Sequence, residues 1–198
     1  LGTTGHNWWA YQFGGQWKIG LLFPEFKGLA QYQAFFPDYF ERELGLLTYP
    51  DGFTHECSVN YHIGTTDIFL EAVHLAEING LRFSAAFRER VRRMAAVEWK
   101  LVQPDGNAPA FNDCHSMEPL ILKRMRSLAA FAGVPELKYL AEAMKVPRST
   151  DFGRLLVPTL YYSSCGEDLT ARYRQLKARK PASADTSLPD AGLYVMRN

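Results

Sequence analysis

The chain has 198 residues, 47% of them hydrophobic and 22% charged, enough to bury the core of one or two soluble domains. With 22 basic and 21 acidic residues the net charge is +1, which gives no general attraction to nucleic acid or to an anionic membrane surface. No apolar run reaches the ~18 residues of a bilayer-spanning helix, and Cys57, Cys114 and Cys165 are too scattered for a disulfide framework or a C-x-x-C zinc motif.

Apolar residues recur at three- and four-residue spacing through most of the chain, so the sequence predicts helices. The first covers Trp8 to Leu22 and stops at Pro24; the second covers Phe26 to Leu47, with Pro37-Asp38 expected to kink or split it. The third runs from about Ser58 to Ile78, ended by Asn79-Gly80. Ser84 caps a fourth, reaching Leu101, and Ser116 a fifth, with Pro119 in its first turn and Gly133 then Pro135 at its end. Glu136 to Lys145 forms a sixth, and a weaker helical stretch is expected over residues 152–162.

Pro50-Asp51-Gly52 and Pro104-Asp105-Gly106 repeat one turn signal 54 positions apart, each between two helices. A unit of that size suits an array of helical hairpins such as an α/α toroid. The composition changes near Arg172: a basic stretch and a polar Pro/Ala/Ser run read as a linker over residues 174–187. Leu188 to Arg197 then reads as a turn and a strand, which alone could not bury itself. The expected class is therefore mainly α. Residues 1–173 are assigned to the C-terminal part of an α/α toroid, and 188–198 to the first strand of an antiparallel β-sandwich that continues past this stretch.

Two polar-aromatic segments, each at a helix entrance, hold the side chains suited to chemistry. The first is Gly5-His6-Asn7-Trp8-Trp9; the second runs from Tyr49 to His62 and contains Glu56, Asn60 and Tyr61. Asn7 has two readings, a helix N-cap or a hydrogen-bond donor to an anionic substrate. Trp8 and Trp17 read as core; Trp9 reads either as core or as a platform for a sugar ring. Tyr61 and His62 fall one turn after Ser58, close to the rim, where a buried structural tyrosine is the competing reading. His74 lies in an apolar stripe and reads as a core histidine, whereas His115, beside Asp113, lies on a loop able to face the rim of Tyr61. Arg88, Arg90, Arg92 and Arg93 read as a solvated helix face, with an anionic-polymer stripe as the sharper alternative. No phosphate loop, H-E-x-x-H or G-x-S-x-G signature occurs.

Three blocks resemble the heparinase II/III-like polysaccharide lyases: His6-Asn7-Trp8 with Gly20 to Lys27; Pro50-Asp51-Gly52 with Glu56, Ser58, Tyr61 and His62; and Leu188 to Arg197. The resemblance implies an α/α toroid followed by a β-sandwich, and cleavage of uronate polysaccharide, heparan-sulfate-like or alginate-like, by β-elimination. Asn7 matches the residue that neutralises the uronate carboxylate, and Tyr61 the residue that transfers protons. His6, Trp9, Glu56, His62 and His115 are the expected substrate contacts, and the family's histidine is expected in the β-sandwich beyond this stretch. The chemistry needs no cofactor; a structural metal in the β domain is left open. The implied partner is an acidic polysaccharide, with no nucleic acid and no membrane insertion, and the implied location is periplasmic or secreted. Two other functions compete. A glycoside hydrolase on the same toroid would use two of Glu25, Glu56 and Asp113. A non-catalytic glycan-binding helical domain would bind without product.

Overall fold

The computed structural model describes residues 5–114, 120–146 and 169–197. Seven helices lie among the described residues: α1 (Asn7–Leu22), α2 (Ala30–Leu47), α3 (Val59–Ile78), α4 (Ala85–Leu101), α5 (Leu120–Ala132), α6 (Pro135–Ala143) and α7 (Leu169–Gln175). An antiparallel hairpin of β1 (Thr186–Leu188) and β2 (Leu193–Val195) follows. Ser116, Pro119, His115, Cys165 and the helical stretch expected at 152–162 lie outside the described residues.

The helices pack as a chain of neighbours. α1 lies against α2 and α3, α3 against α4, α4 against α5 and α6, and α5 against α6 and α7. α3 is buried on nearly every side, so it needs no polar face. An aromatic seam joins the first three helices: Phe13 stacks on Tyr39 at 3.8 Å, and Trp17 and Phe69 reach Phe40 at 5.2 and 5.9 Å.

Local chemistry accounts for most boundaries. Ser84 Oγ accepts from the Phe87 N–H at 3.1 Å and caps α4 as expected. Asn79-Gly80 ends α3, with Gly80 at φ +70° and the Leu81 N–H turned back to the Ala76 carbonyl. α2 starts at Ala30 rather than Phe26, because Gly28 at φ +88° and turn bonds from the Phe26 and Leu29 amides occupy the intervening residues. Pro37 does not split α2, which is continuous through it. Buried Phe36, Tyr39 and Phe40 pack the segment around the proline against α1 and α3, offsetting a cost of ~3 kcal/mol. α7 was not expected from sequence; its Leu169–Tyr173 pair is buried, and Lys138 Nζ donates to the Tyr173 and Leu176 carbonyls at its end, at 2.7 and 2.8 Å.

The two Pro-Asp-Gly turns are copies in geometry as well as in sequence. Gly52 and Gly106 each donate to the carbonyl three residues back, at 3.0 and 2.9 Å, and Asp51 and Asp105 each accept from the amide two residues on. The first turn also holds the hairpin: Asp51 Oδ2 accepts from the Ala191 N–H at 3.1 Å. Arg197 Nη2 donates to the Lys100 and Val102 carbonyls at the end of α4. The run read as a turn and a strand thus has a partner, because Thr186 and Ser187, read as linker, and Leu188 pair in register with Leu193–Val195.

Three buried charges tie the helical layers. Arg124 of α5, 2% exposed, pairs with Asp67 of α3 and, at 3.1 Å, with Glu98 of α4. Burial pushes the Glu98 carboxyl up to about 7; Arg124 opposes this and Asp67 adds to it. Such a cluster stabilises little in net terms, but losing one member strands the others. Arg124→Leu is expected to cost about 3–5 kcal/mol in urea unfolding. A loss below about 1 kcal/mol would show that the carboxylates find other partners or take up protons cheaply.

Candidate active site

The first turns of α1 and α3 stand side by side and enclose an open cavity of about 490 Å³. Asn7, Trp8, Tyr11 and Gln12 line one wall, and Asn60 and Tyr61 the other. Trp8, Tyr11 and Gln12 lie at helical i, i+3 and i+4 spacing, so one stripe of α1 supplies most of its wall. Two glycines lie in the contact of the helices. A Cβ on Gly64 of α3 would meet the Tyr11 hydroxyl, and one on Gly14 of α1 would stand 3.1 Å from Ile68. Gly5 anchors the entry to α1, with φ +96° and its amide donating to buried Glu43 at 3.2 Å.

Asn7 is the first residue inside α1, not its cap. The cap position belongs to His6, whose extended backbone carries no side-chain cap bond. Asn7 is buried and still contributes to the cavity wall. Tyr61 faces it from α3. The Tyr61 hydroxyl donates to Asp113 Oδ2 at 2.6 Å, and this bond, with the Asp113 charge, raises the phenol above its ordinary pKa of 10.0. Glu56 sits behind the pair, half-buried. Burial raises its carboxyl, while the Asn7 backbone N–H and His6 pull it down.

Of the sequence-derived candidates, Asn7 and Tyr61 meet across the cavity, and Glu56 and His6 adjoin it. His115 lies outside the described residues. Two assignments are corrected. Trp9 is not an open platform: it stacks on Phe13 at 5.4 Å and packs on the core, whereas Trp8, read as core, is 70% exposed and lines the cavity. His62 is not a rim residue either. It is 0% exposed, with Nε2 3.0 Å from the Met94 carbonyl and Phe53 against its ring, because α3 turns it toward α4. The arginine stripe of α4 is largely occupied: Arg90 donates to Thr48, Arg93 to the Pro50 carbonyl, and Arg92 pairs with Glu89. His74 is buried beside Phe131, as read. Tyr11, Gln12 and the contact of Asp113 with Tyr61 were missed. The Trp8-Tyr11-Gln12 spacing could have found the first two, but no local signal joins positions 52 apart.

The family model described as Heparinase II/III N-terminus matches residues 3–139. A heparin-sulfate lyase of Pedobacter heparinus is 28% identical over 185 residues, covering 89% of this chain and 28% of its own length. One from Bacteroides thetaiotaomicron is 32% identical over 136 residues, covering 63% of this chain and 19% of its own. The crystal structure of a heparinase III superposes with a TM-score of 0.63 at 30% identity, over 70% of this chain and 23% of that one. The heparan sulfate lyase HepC of Pedobacter heparinus gives 0.58 at 25% identity, over 72% and 23%. The chain thus spans only 19% to 28% of the length of the curated relatives it matches.

His62 yields a pH prediction. Burial, the largest cause, lowers its imidazole from 6.5 to about 4, so the folded state keeps it neutral where the unfolded chain would protonate it. A base depressed in this way contributes its full stability above pH 6.5 and loses it as pH falls toward 4. Against His62→Gln, wild-type stability should therefore drop by an additional ~3 kcal/mol between those limits, read by denaturant unfolding at each pH. Parallel pH curves for the two proteins would contradict the burial of this ring.

Proposed function

Since the chain belongs to the heparinase II/III family, we propose that it carries the helical half of the active site of a lyase that cleaves heparan-sulfate-type polysaccharide by β-elimination. The observation that supports this most is the meeting of Asn7 and Tyr61 across one cavity, at the entrances of neighbouring helices. Curated relatives named heparin-sulfate lyase favour that polymer over alginate.

The chemistry follows from these residue types. The C5 proton of a uronate is weakly acidic because the carbanion left behind stands next to a carboxylate. An amide donating to that carboxylate spreads the charge into an enolate-like form, and Asn7 is the amide in the cavity. Tyr61 then moves the proton from C5 to the departing O4 oxygen, leaving a C4=C5 double bond in the new non-reducing end. Trp8, broad and exposed, offers an adjoining sugar its flat face. Among the described residues the cavity wall itself is lined by Asn7, Trp8, Tyr11, Gln12, Asn60 and Tyr61. Asp113 is bonded to the Tyr61 hydroxyl rather than paired with a second carboxylate across the cavity, which favours the lyase over the two-carboxylate hydrolase.

Residues 1–173 belong to the toroid, and 188–198 open the β-sandwich that brings the remaining histidine to the cavity. A polymer substrate of this kind fits a periplasmic or secreted protein.

The test uses the full-length protein that contains this chain, incubated with heparan sulfate, alginate and other uronate polymers. Heparan sulfate should yield product absorbing in the ultraviolet band of a 4,5-unsaturated uronate. Saturated products with new reducing ends would point to hydrolysis, and binding without product to a lectin-like role. Tyr61→Phe should lower kcat by at least ~10²-fold with the fold intact, and Asn7→Ala by about 10²–10³-fold. A Tyr61→Phe variant with wild-type turnover would remove the tyrosine from the reaction.

A further inference from the structure

We propose that Asp113 is the proton-holding partner of Tyr61: it fixes the phenol by its hydrogen bond and takes the phenolic proton while the Tyr61 oxygen takes the C5 proton of the substrate. This rests on the lyase reading above and deepens it by a positioning residue that acts through Tyr61. The contact itself is short, 2.6 Å from Tyr61 Oη to Asp113 Oδ2. A phenol that points its hydrogen at a carboxylate leaves its oxygen lone pairs for a donor elsewhere, here in the cavity that Tyr61 lines.

The segment around Asp113 is held in place by several bonds. Ser58 Oγ, at the entrance to α3, donates to the Asp113 carbonyl at 2.9 Å rather than capping the helix. Asn112 Nδ2 donates to the Cys57 carbonyl at 2.6 Å, and Phe111 packs edge-on against Phe53. Asn112 and Cys57 both have left-handed backbone, φ +54° and +49°, uncommon for cysteine, and their side-chain-to-backbone bond joins the two bends. Three contacts between two loops thus set one carboxylate on one phenol.

The need for such a partner is chemical. A tyrosine with its ordinary pKa near 10 is ionised in only about one molecule in a thousand at neutral pH, so it makes a poor base alone. Asp113 and Glu56 face Tyr61 from their two loops, and both charges push the phenol further from ionisation. Tyr11 and Asn7 stand across the cavity on α1. With Asp113 as acceptor no tyrosinate accumulates. The C5–H bond breaks and its proton joins Tyr61 Oη, while the original phenolic proton passes to Asp113 Oδ2. The C5 electron pair then forms the C4=C5 bond and expels O4, which takes the proton from Tyr61. Asp113 returns its own proton to Tyr61, and both residues end as they began.

The experiment compares full-length wild type, Asp113→Asn, Asp113→Glu, Tyr61→Phe and the Tyr61→Phe/Asp113→Asn double variant on heparan sulfate from pH 6 to 10. Asp113→Asn should lower kcat about 10²-fold or more at neutral pH with KM little changed, its residual rate rising with pH as hydroxide replaces the lost acceptor. Asp113→Glu should recover part of the rate, and the double variant should be no slower than Tyr61→Phe alone. An Asp113→Asn enzyme with wild-type kcat and pH profile would overturn the proposal. So would one whose loss lies in KM with an unmoved profile. A second readout needs no variant at position 113: in wild type labelled at tyrosine 13Cζ, with Tyr61 assigned through Tyr61→Phe, the Tyr61 resonance should titrate above 10, and titration at or below it would overturn the pairing. If wild type makes no unsaturated product on any polymer, the lyase reading fails instead, and the 13C titration still decides whether the pair exists.

Discussion

The close contact of α1 with α3 is the constraint on which the site depends. Gly14 and Gly64 face the opposite helix, and at Gly64 the absent Cβ leaves room for the Tyr11 hydroxyl. A Cβ at Gly64 would push the Tyr11 hydroxyl out of its place in the cavity wall, and one at Gly14 would press on Ile68. The aromatic seam of Phe13, Tyr39, Trp17, Phe40 and Phe69 runs through α2, whose rings meet both α1 and α3 and tie the pair together.

Behind that contact, α3 is held by charge as well as by apolar burial. Arg124 binds Asp67 on α3 and Glu98 on α4, and one turn nearer the cavity His62 meets the Met94 carbonyl on α4. These are directional contacts in a layer that apolar packing alone would let rotate or slide. They orient α3 so that His62 faces inward while Tyr61, its neighbour in sequence, faces the cavity. Successive helical residues lie about 100° apart, so the burial of one follows from the same rotation that exposes the other. The Pro-Asp-Gly turn before α3 extends this ordering to the β hairpin through Asp51 and Ala191.

Much of this was legible in the sequence, and the reasons differ by element. Helix ends marked by local chemistry, Ser84 before α4 and Asn79-Gly80 after α3, fall where their side chains and backbone dictate. The repeated turns were visible as three-residue signals, and their identical hydrogen bonds show why the signal recurs. Asn7 and Tyr61, which line one cavity, could be singled out because each opens a helix in a polar-aromatic segment that matches a known family. Trp8 and Trp9 were exchanged, since a pair of adjacent tryptophans gives no clue to which one the helix turns inward. His62 was placed on the rim for the same reason, adjacency to Tyr61 being mistaken for a shared face. The Asp113–Tyr61 bond was invisible because a loop brings together residues 52 positions apart. Helix α7 escaped because a seven-residue helix shows barely two turns of periodicity, and its stability comes from Lys138 and the face of α5.

The central claim is that the cavity between α1 and α3 seats a uronate with its carboxylate on Asn7 and its C5 proton at Tyr61. The most direct measurement is a structure of the full-length Tyr61→Phe protein soaked with an intact heparan sulfate tetrasaccharide. The account predicts a uronate carboxylate within hydrogen-bond distance of Asn7 Nδ2, and the ring C5 about 3–3.5 Å from where the lost Tyr61 hydroxyl would stand. A saccharide bound with neither Asn7 nor residue 61 in contact, on any other face of the protein, would contradict it.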